Sequence, residues 1–152
     1  HEGLAALVLD PIINGYHLTR VLMDGGSGLN LIYQDTVRKM GIDPTKISHS
    51  NTTFKGVIPG PEARSMGSLI LEIVFGSPEN YISEKLDFDI APFRSGYQAL
   101  LGRIAFARFN AVPHYASLKL KMPGPRGTIT VDGNIERSLR AEERAAALTA
   151  EH

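Results

Sequence analysis

Residues 21–28 read Val21-Leu22-Met23-Asp24-Gly25-Gly26-Ser27-Gly28, an apolar run that ends at one acidic residue and continues into glycines. The three apolar residues predict a buried strand that ends at the carboxylate of Asp24. The glycines that follow let the main chain bend and approach a neighbouring segment closely. The stretch therefore predicts a single carboxyl group presented at a tight turn.

Two simpler interpretations of this turn stay open on its own residues. Asp24 could be an ordinary polar residue that follows a strand. The glycines could form a phosphate-binding turn between a strand and a helix. The segment lacks both the Gly-x-Gly-x-x-Gly pattern and the lysine of a P-loop, which disfavours a phosphate site. A chemical role for Asp24 therefore has to be supported by other segments.

A second segment further along the chain reads Tyr97-Gln98-Ala99-Leu100-Leu101-Gly102-Arg103. Its two leucines, together with Ile104 and Phe106, are predicted to be core residues. Gly102 predicts a close approach between main-chain segments, which we expect beneath the Asp24 turn. For Arg103, an ion pair with a carboxylate and a solvated position are both open.

Between these two segments the sequence predicts a hairpin. Residues 53–57 and 68–75 have strand patterns, and the second strand carries Leu69, Leu71 and Ile73 on one face. The turn Ile58-Pro59-Gly60-Pro61 places Pro and Gly where a type II turn needs them. Pro61 has no N–H with which to close that turn, so we expect an open tip.

The remaining segments predict short strands and two short helices. Asn14-Gly15 between apolar runs is a strong hairpin signal, and its second strand is predicted over residues 19–23. A helix is predicted over residues 33–40, with Gly41 as the residue that ends it. Further strands are predicted at 86–91, 118–122 and 128–131, and a short helix at 104–109. The 15 glycines and 9 prolines fit this mainly-β organisation.

The composition fits one globular domain. The chain has 152 residues, of which 43% are hydrophobic and 21% are charged. Cysteine is absent, which excludes disulfides, thiolate metal sites and thiol catalysis. His17, His49 and His114 share no metal-ligand spacing, so no metal site is predicted. No apolar run is long enough for a membrane helix, so no membrane partner is expected.

The composition also changes along the chain. Residues 1–134 are predicted to form the folded domain. Residues 135–152 are rich in Ala, Glu and Arg and are predicted to form a partly helical tail or linker. Because the chain begins with His1 and not Met, we expect a piece excised from a longer polypeptide.

The overall charge argues against nucleic acid as a partner. Sixteen Lys and Arg residues balance 16 Asp and Glu residues, which gives a formal net charge of zero. A local patch exists, because residues 103–126 contain five basic residues and no acidic one. We interpret this patch as a solvated strand face and not as an RNA-binding surface.

Taken in order, these segments resemble one family. Their order is similar to that in the retropepsin-like aspartic proteases. It consists of an apolar pair followed by Asp24, Gly26 and Ser27, then a glycine-containing hairpin, then residues 99–103. The most similar domain is that of plant gypsy-type retrotransposon polyproteins. Residues 97–103 resemble that family's segment Tyr-Asn-Ala-Leu-Leu-Gly-Arg. Residues 118–123, followed by Gly127 and Val131, resemble the strands after that family's short helix. The resemblance covers roughly residues 6–134, and the tail resembles the connector towards a reverse transcriptase.

The resemblance implies an all-β fold in the main, a retropepsin-like closed barrel of the acid-protease type with one or two short helices and a flap hairpin. It implies an aspartic endopeptidase that processes a retrotransposon polyprotein, with a peptide or polyprotein as substrate. Each chain would supply one catalytic residue, Asp24, so a second copy would complete the site as a homodimer. No cofactor and no metal are implied. The expected location is the cytoplasm, inside a virus-like particle.

The resemblance also implies roles for residues around Asp24. The active-site loop would contain Gly25, Gly26 and Ser27. The support under this loop would consist of Leu100, Leu101 and Gly102. The flap would contain Gly56, Val57, Ile58, Pro59 and Gly60.

The sequence departs from the family at Gly25, where retropepsins have Thr or Ser. The missing hydroxyl helps to lock the two active-site loops across the dimer axis, and Gly28 adds further freedom to the loop. A weaker dimer and lower activity are therefore expected. The alternative function is a catalytically weakened or inactive protease-like module that binds or dimerises. A third possibility is a structural spacer in a polyprotein, with the basic patch holding nucleic acid.

Overall fold

The computed structural model of the chain describes residues 6–54 and 63–134, which consist mainly of β-strands. In chain order, the strands are β1 (Ala6–Leu9), β2 (Ile12–Ile13), β3 (Tyr16–His17), β4 (Val21–Asp24), β5 (Leu31–Tyr33), β6 (Thr53–Phe54), β7 (Ala63–Arg64), β8 (Ser68–Ser77), β9 (Asn80–Ala91), β10 (Ala99–Leu101), β11 (Val112–His114), β12 (Lys119–Gly124) and β13 (Gly127–Asp132). The α-helices of this part of the chain are α1 (Gln34–Lys39) and α2 (Arg103–Phe109). Short 3-10 turns lie at Pro44–Lys46 and Tyr115–Ser117.

Eight of these strands form one curled sheet in the order β1-β4-β10-β5-β9-β8-β2-β3. Strands β11, β12 and β13 form a three-stranded sheet, and β6 pairs with β7. The prediction of a mainly-β fold with one or two short helices is therefore confirmed.

The centre of the large sheet brings together the two segments that the sequence singles out. Strand β10 lies between β4 and β5, parallel to β4 and antiparallel to β5. Its register places Leu101 beside Met23. Because parallel strands point in the same direction, the next residues, Gly102 and Asp24, lie at the same edge of the sheet.

The main core lies against one face of this sheet. Val21 and Met23 are completely buried in it, together with Phe75 and Phe109. The two phenylalanine rings meet edge to face, with their centroids 5.1 Å apart. Burial of each such side chain stabilises the fold by about 1.5–3 kcal/mol, so strand β4 is fixed from its inner face.

The hairpin at Asn14-Gly15 is confirmed, but its predicted second strand is wrong. Asn14 and Gly15 have φ angles of 52° and 82°, as a type I′ turn requires, and they join β2 to β3. Strand β4 is separate from this hairpin and pairs with β1 and β10 instead. The side chain of Gln98 explains the break, because its Oε1 accepts hydrogen bonds from the N–H groups of Thr19 and Arg20 at 2.9 Å each.

Most other predicted elements are confirmed with small shifts at their ends. Helix α1 ends before Gly41, which adopts a φ of 60°. Helix α2 begins at Arg103, one residue earlier than predicted. Leu118 lies outside its predicted strand, because its φ of 52° places it in the turn before β12. Strand β11 is not predicted by the sequence, since Pro113 within it weakens the strand signal.

Two predictions fall outside the described residues. The flap residues Gly56, Val57, Ile58, Pro59 and Gly60 belong to the segment 55–62, and the tail comprises residues 135–152. The domain boundary at residue 134 therefore stays a prediction. In the parts of the chain that the structure describes, no helix combines the length and apolar character needed to cross a membrane. The same residues contain no cluster of three His, Asp or Glu side chains that could hold a metal ion.

Candidate active site

Asp24 is the last residue of β4 and begins a tight turn. Its side chain is half-buried and lies on the same face of the strand as Leu22, opposite the core-facing Met23. The N–H of Gly26 donates to Oδ1 of Asp24 at 2.8 Å, and the N–H of Ser27 donates to its carbonyl oxygen at 3.2 Å. The turn therefore fixes both the main chain and the carboxyl group of Asp24.

The environment of this carboxyl group favours its protonated form. Burial raises the pKa of Asp24 above its ordinary value of 3.8, and the hydrogen bond from Gly26 opposes part of this effect. Among the described residues, no second carboxyl group contributes to the shift. The chain thus presents one partly desolvated carboxyl group, which is a property typical of acid–base groups.

Tyr115 is a residue near this site that the sequence does not indicate. Burial raises the pKa of its phenol, and the negative charge of Asp24 raises it further. Tyr115 also packs against the main core. Since it is an aromatic residue in a turn far along the chain, no sequence signal connects it with Asp24.

Gly102 lies directly beneath the turn. A Cβ atom at this position would lie 2.5 Å from the carbonyl oxygen of Leu29 and 2.6 Å from that of Ser27. Both distances are far below van der Waals contact, and main-chain atoms cannot rotate away. The position therefore requires glycine because the two loops touch, and not because of its φ angle, which is −98°.

Asn30 holds Gly102 in place and is a site residue that sequence reasoning missed. Its side chain is buried, its Oδ1 accepts the N–H of Gly102 at 2.9 Å, and its Nδ2 donates to the carbonyl of Asp87 at 3.2 Å. A buried amide with both ends bonded links β9 to α2 beneath the turn. The sequence feature that could have indicated Asn30 is its position as a polar residue inside the apolar run Leu29-Asn30-Leu31-Ile32.

Ser27 shapes the loop from within. Its hydroxyl lies 2.9 Å from the carbonyl oxygen of Leu29, to which it donates, and accepts the N–H of Leu29 at 3.2 Å. Its own carbonyl accepts the N–H of Arg103 at 2.9 Å. Ser27 therefore ties the turn to the start of α2, next to Gly102.

Gly25 has room for a side chain. A Cβ atom there would lie 3.6 Å from the ring of Phe106, which is ordinary van der Waals contact. Its φ lies outside the left-handed region, so the main-chain conformation does not require glycine. The absence of a hydroxyl beside Asp24 is thus a property of this sequence and not a demand of the fold.

The side chain of Arg103 contacts a main-chain atom of the turn. Its Nη1 lies 3.4 Å from the carbonyl oxygen of Gly26, and its Nη2 would lie 3.1 Å from a Cβ at Gly28. No carboxylate of residues 6–54 or 63–134 lies within ion-pair distance of it. The interpretation of Arg103 as a solvated residue is therefore the better of the two. The neighbouring Ile104 is 53% exposed, so its assignment to the core is wrong.

The rest of the basic patch behaves as a strand and helix surface. Arg108 forms an ion pair with Glu84 at 3.0 Å, and Lys119 pairs with Asp132. These acidic partners come from outside residues 103–126, which is why the sequence segment looks purely basic.

An apolar wall lies beside Asp24 on the outer face of the sheet. Leu22, Ala6 and Val8 are buried in one cluster, against which Tyr97 and Leu100 pack. Leu101 instead points into the main core and is completely buried. The predicted support residues are thus divided, with Leu100 on the side of Asp24 and Leu101 on the opposite side.

The base of the predicted flap hairpin packs next to this wall. Phe54 of β6 is buried and meets Phe93 edge to face, with ring centroids 5.5 Å apart. The ring of Phe93 also meets the ring of Tyr33 edge to face, with their centroids 6.0 Å apart. Leu100 belongs to the same apolar cluster, so the wall and the hairpin base form a continuous surface.

A cleft of about 630 Å³ lies elsewhere on the molecule, between the end of β8 and strand β13. Asp10, His17 and Asn80 line it, and Asp24 does not. This cleft therefore lies apart from the partly desolvated carboxyl group and the hydrogen bonds of the Asp24 turn.

The fold is similar to those of two solved structures. The retroviral protease-like domain of Ddi1 from Leishmania major matches with a TM-score of 0.58 and 12% identity, over 86% of this chain and 94% of that one. A retropepsin-like aspartic protease from Rickettsia conorii matches with a TM-score of 0.55 and 14% identity, over 83% of this chain and 81% of that one. No protein-family model and no curated protein matches the sequence. The retropepsin-like fold is therefore confirmed, and at these identities the similarity concerns the fold alone.

Gly102→Ala is expected to lower the free energy of unfolding by about 1–3 kcal/mol, because the added methyl group collides with fixed main-chain oxygens. Gly28→Ala is the matched control, since its Cβ would meet only the flexible end of Arg103. Urea unfolding followed by circular dichroism measures both variants. Equal losses of stability in the two would contradict the close packing of Gly102.

Asp24→Asn is expected to stabilise the chain at neutral pH. The pKa of Asp24 is higher in the folded chain than its ordinary value of 3.8. At a pH between the ordinary pKa and the folded-state pKa, the folded state therefore binds more protons than the unfolded chain. Stability from this group is therefore present at low pH and lost as the pH rises through the folded pKa. Urea unfolding should show a gain for the variant at about pH 7 and none below the ordinary carboxyl pKa. A gain of equal size at both pH values would contradict this origin.

Proposed function

We propose that this chain is an aspartic endopeptidase whose active site is completed by a second copy of the chain. The observation that carries the proposal is the Asp24 carboxyl group, desolvated and fixed by the N–H of Gly26 above a turn that Gly102 supports. The similarity of the fold to that of a retropepsin-like aspartic protease supports an aspartic-protease chemistry for such a carboxyl group.

Homodimerisation follows from the number of carboxyl groups at the turn. Peptide hydrolysis by this chemistry needs two carboxyl groups that share one proton. The described residues bring only Asp24 to the site. A two-fold axis beside the turn would supply the second group from the identical residue of the partner.

In the proposed reaction, the charged Asp24 takes a proton from water while the oxygen of this water attacks the scissile carbonyl carbon. The protonated Asp24 of the other copy donates its proton to the carbonyl oxygen, which produces a neutral tetrahedral diol. The Asp24 carboxylate that is now charged takes a proton from one hydroxyl of the diol, so that the carbonyl bond re-forms and the carbon–nitrogen bond breaks, while the protonated Asp24 transfers its proton to the leaving amine. The shared proton and the split pKa values belong to the pair and not to either residue.

The apolar wall favours a peptide with large apolar side chains on either side of the cleaved bond. Leu100, which is half-buried and packs on the cluster that contains Leu22, lies on the face of the sheet that carries Asp24. An extended peptide would lie along this face, beneath the hairpin whose base is β6 and β7. The predicted flap, Gly56 to Gly60, would cover it.

For the biological setting we propose the processing of a retrotransposon polyprotein, of the plant gypsy type, in a cytoplasmic virus-like particle. The support for this setting is the segment Tyr97-Gln98-Ala99-Leu100-Leu101-Gly102-Arg103 and its similarity to that family. The substrate would be the parent polyprotein.

Gly25 favours a second candidate, a protease-like module that dimerises or binds peptide without cleaving it. Retropepsins carry a hydroxyl at this position, and Gly25 supplies none. Each lost hydrogen bond costs about 0.5–1.5 kcal/mol, and a symmetric dimer would lose it twice.

Asp24→Asn is expected to abolish cleavage of an unstructured polypeptide with paired large apolar residues, assayed at about pH 5. Asn cannot exchange the proton that activates water. Asp87→Asn is the control, because that side chain is exposed on β9 and should leave cleavage unchanged. Cleavage that persists in Asp24→Asn contradicts the peptidase, and a folded wild type without cleavage supports the binding module.

Gly25→Thr is expected to tighten the dimer by roughly 5-fold to 150-fold, since two restored hydrogen bonds would contribute about 1–3 kcal/mol. The Cβ atom of the new side chain would be in ordinary van der Waals contact with Phe106. Gly25→Ala is the matched control, because it adds the Cβ without the hydroxyl. Sedimentation equilibrium measures the dimer constant, and an equal effect of Ala and Thr would show that the hydroxyl is not responsible.

A further inference from the structure

Asp89 on β9 accepts hydrogen bonds from several hydroxyl groups at once. Ser50 Oγ donates to its Oδ1 at 2.6 Å, and Thr52 Oγ1 donates to its Oδ2 at 3.3 Å. Ser65 Oγ lies 3.0 Å from Oδ1 and shares its proton with the carbonyl of Gly67 at 2.8 Å. Hydrogen bonds to a charged acceptor are stronger than those between neutral groups. We call Asp89 with these three hydroxyl residues the Asp89 clasp.

The clasp spans both sides of the hairpin base. Ser50 and Thr52 precede β6, and Ser65 follows β7. The N–H of Ser65 also donates to the carbonyl of Thr52 at 2.8 Å, which closes the base of the hairpin. One carboxylate therefore holds the two ends of the hairpin together and holds both against β9.

The main chain of Asp89 extends this connection to the Asp24 turn. Its N–H donates to the carbonyl of Asn30 at 3.0 Å. The side chain of Asn30 binds the N–H of Gly102, which lies beneath the turn. Asp89 thus stands between the hairpin base and the support of the reactive carboxyl group.

We propose that Asp89 is a positioning residue that fixes the base of the hairpin relative to the Asp24 turn. The inference deepens the proposed function and rests on it for its catalytic consequence. Strands β6 and β7 pair through only two residue pairs in the described chain, and such a short ladder is weak by itself. The contact of Phe54 with Phe93 is apolar, whereas the clasp adds directional hydrogen bonds from both sides of the hairpin base.

Amide hydrogen exchange of the folded chain tests the clasp without any need for activity. In Asp89→Ala, the amide of Ser65 should exchange about tenfold faster than in the wild type, because local opening of the hairpin base becomes easier. Amides of β1 and β4 should keep their protection. Asp87→Ala is the matched control, since it lies on the same strand with an exposed side chain. Unchanged exchange at Ser65 in Asp89→Ala overturns the proposal.

A second variant keeps the test valid if Asp89→Ala does not fold. Ser50→Ala removes the shortest hydrogen bond of the clasp and keeps the carboxylate. It should accelerate exchange at Ser65 in the same direction but by a smaller factor. No acceleration in a folded Ser50→Ala overturns the proposal as well.

Kinetics of peptide cleavage separate this proposal from the proposed function. If the hairpin base positions the peptide, Asp89→Ala should raise KM by about tenfold and change kcat less, while Asp87→Ala changes neither. Faster exchange with an unchanged KM and kcat would overturn the positioning role in the reaction. A wild type without Asp24-dependent cleavage would contradict the proposed function, and the exchange of Ser65 alone would then decide the clasp.

Discussion

The contact between Gly102 and the carbonyl oxygens of Ser27 and Leu29 is the constraint on which the structure of the site depends. A Cβ at Gly102 would lie 2.5 Å and 2.6 Å from these atoms, so any other residue would push the two loops apart. This approach lets the N–H of Arg103 reach Ser27 and lets the N–H of Gly102 reach Asn30. The Asp24 turn is therefore held by main-chain contacts, which have little freedom to relax.

From this contact a series of hydrogen bonds extends through the sheet. Asn30 binds Gly102 on one side and the carbonyl of Asp87 on the other. Asp89, two residues further along β9, binds the main chain of Asn30 and the hydroxyls at the hairpin base. The members of this network are buried or half-buried, so a satisfied set of hydrogen bonds favours one arrangement of the segments it joins.

The proposed chemistry of the site requires both the desolvation of Asp24 and a symmetry-related second copy. Burial alone makes the Asp24 carboxyl group easier to protonate, but one carboxyl group cannot be both the charged base and the protonated acid. The fold leaves room for a Cβ atom at Gly25, yet the sequence places none there. The interaction that would lock two such turns together is therefore the weakest part of the proposed active dimer.

The sequence by itself determined the mainly-β class, the Asn14-Gly15 turn, the strand that ends at Asp24 and the close approach expected of Gly102. These features depend on local preferences of the chain, namely apolar patterning and the freedom of glycine. Only the tertiary structure decided that β4 leaves the first hairpin, because Gln98, distant in sequence, binds the N–H groups of Thr19 and Arg20. Only the tertiary structure, likewise, showed where Asn30, Tyr115 and Asp89 lie relative to the Asp24 turn and that Ile104 is exposed. Their surroundings are built from segments far apart along the chain, and no local pattern in the sequence records which of those segments will meet.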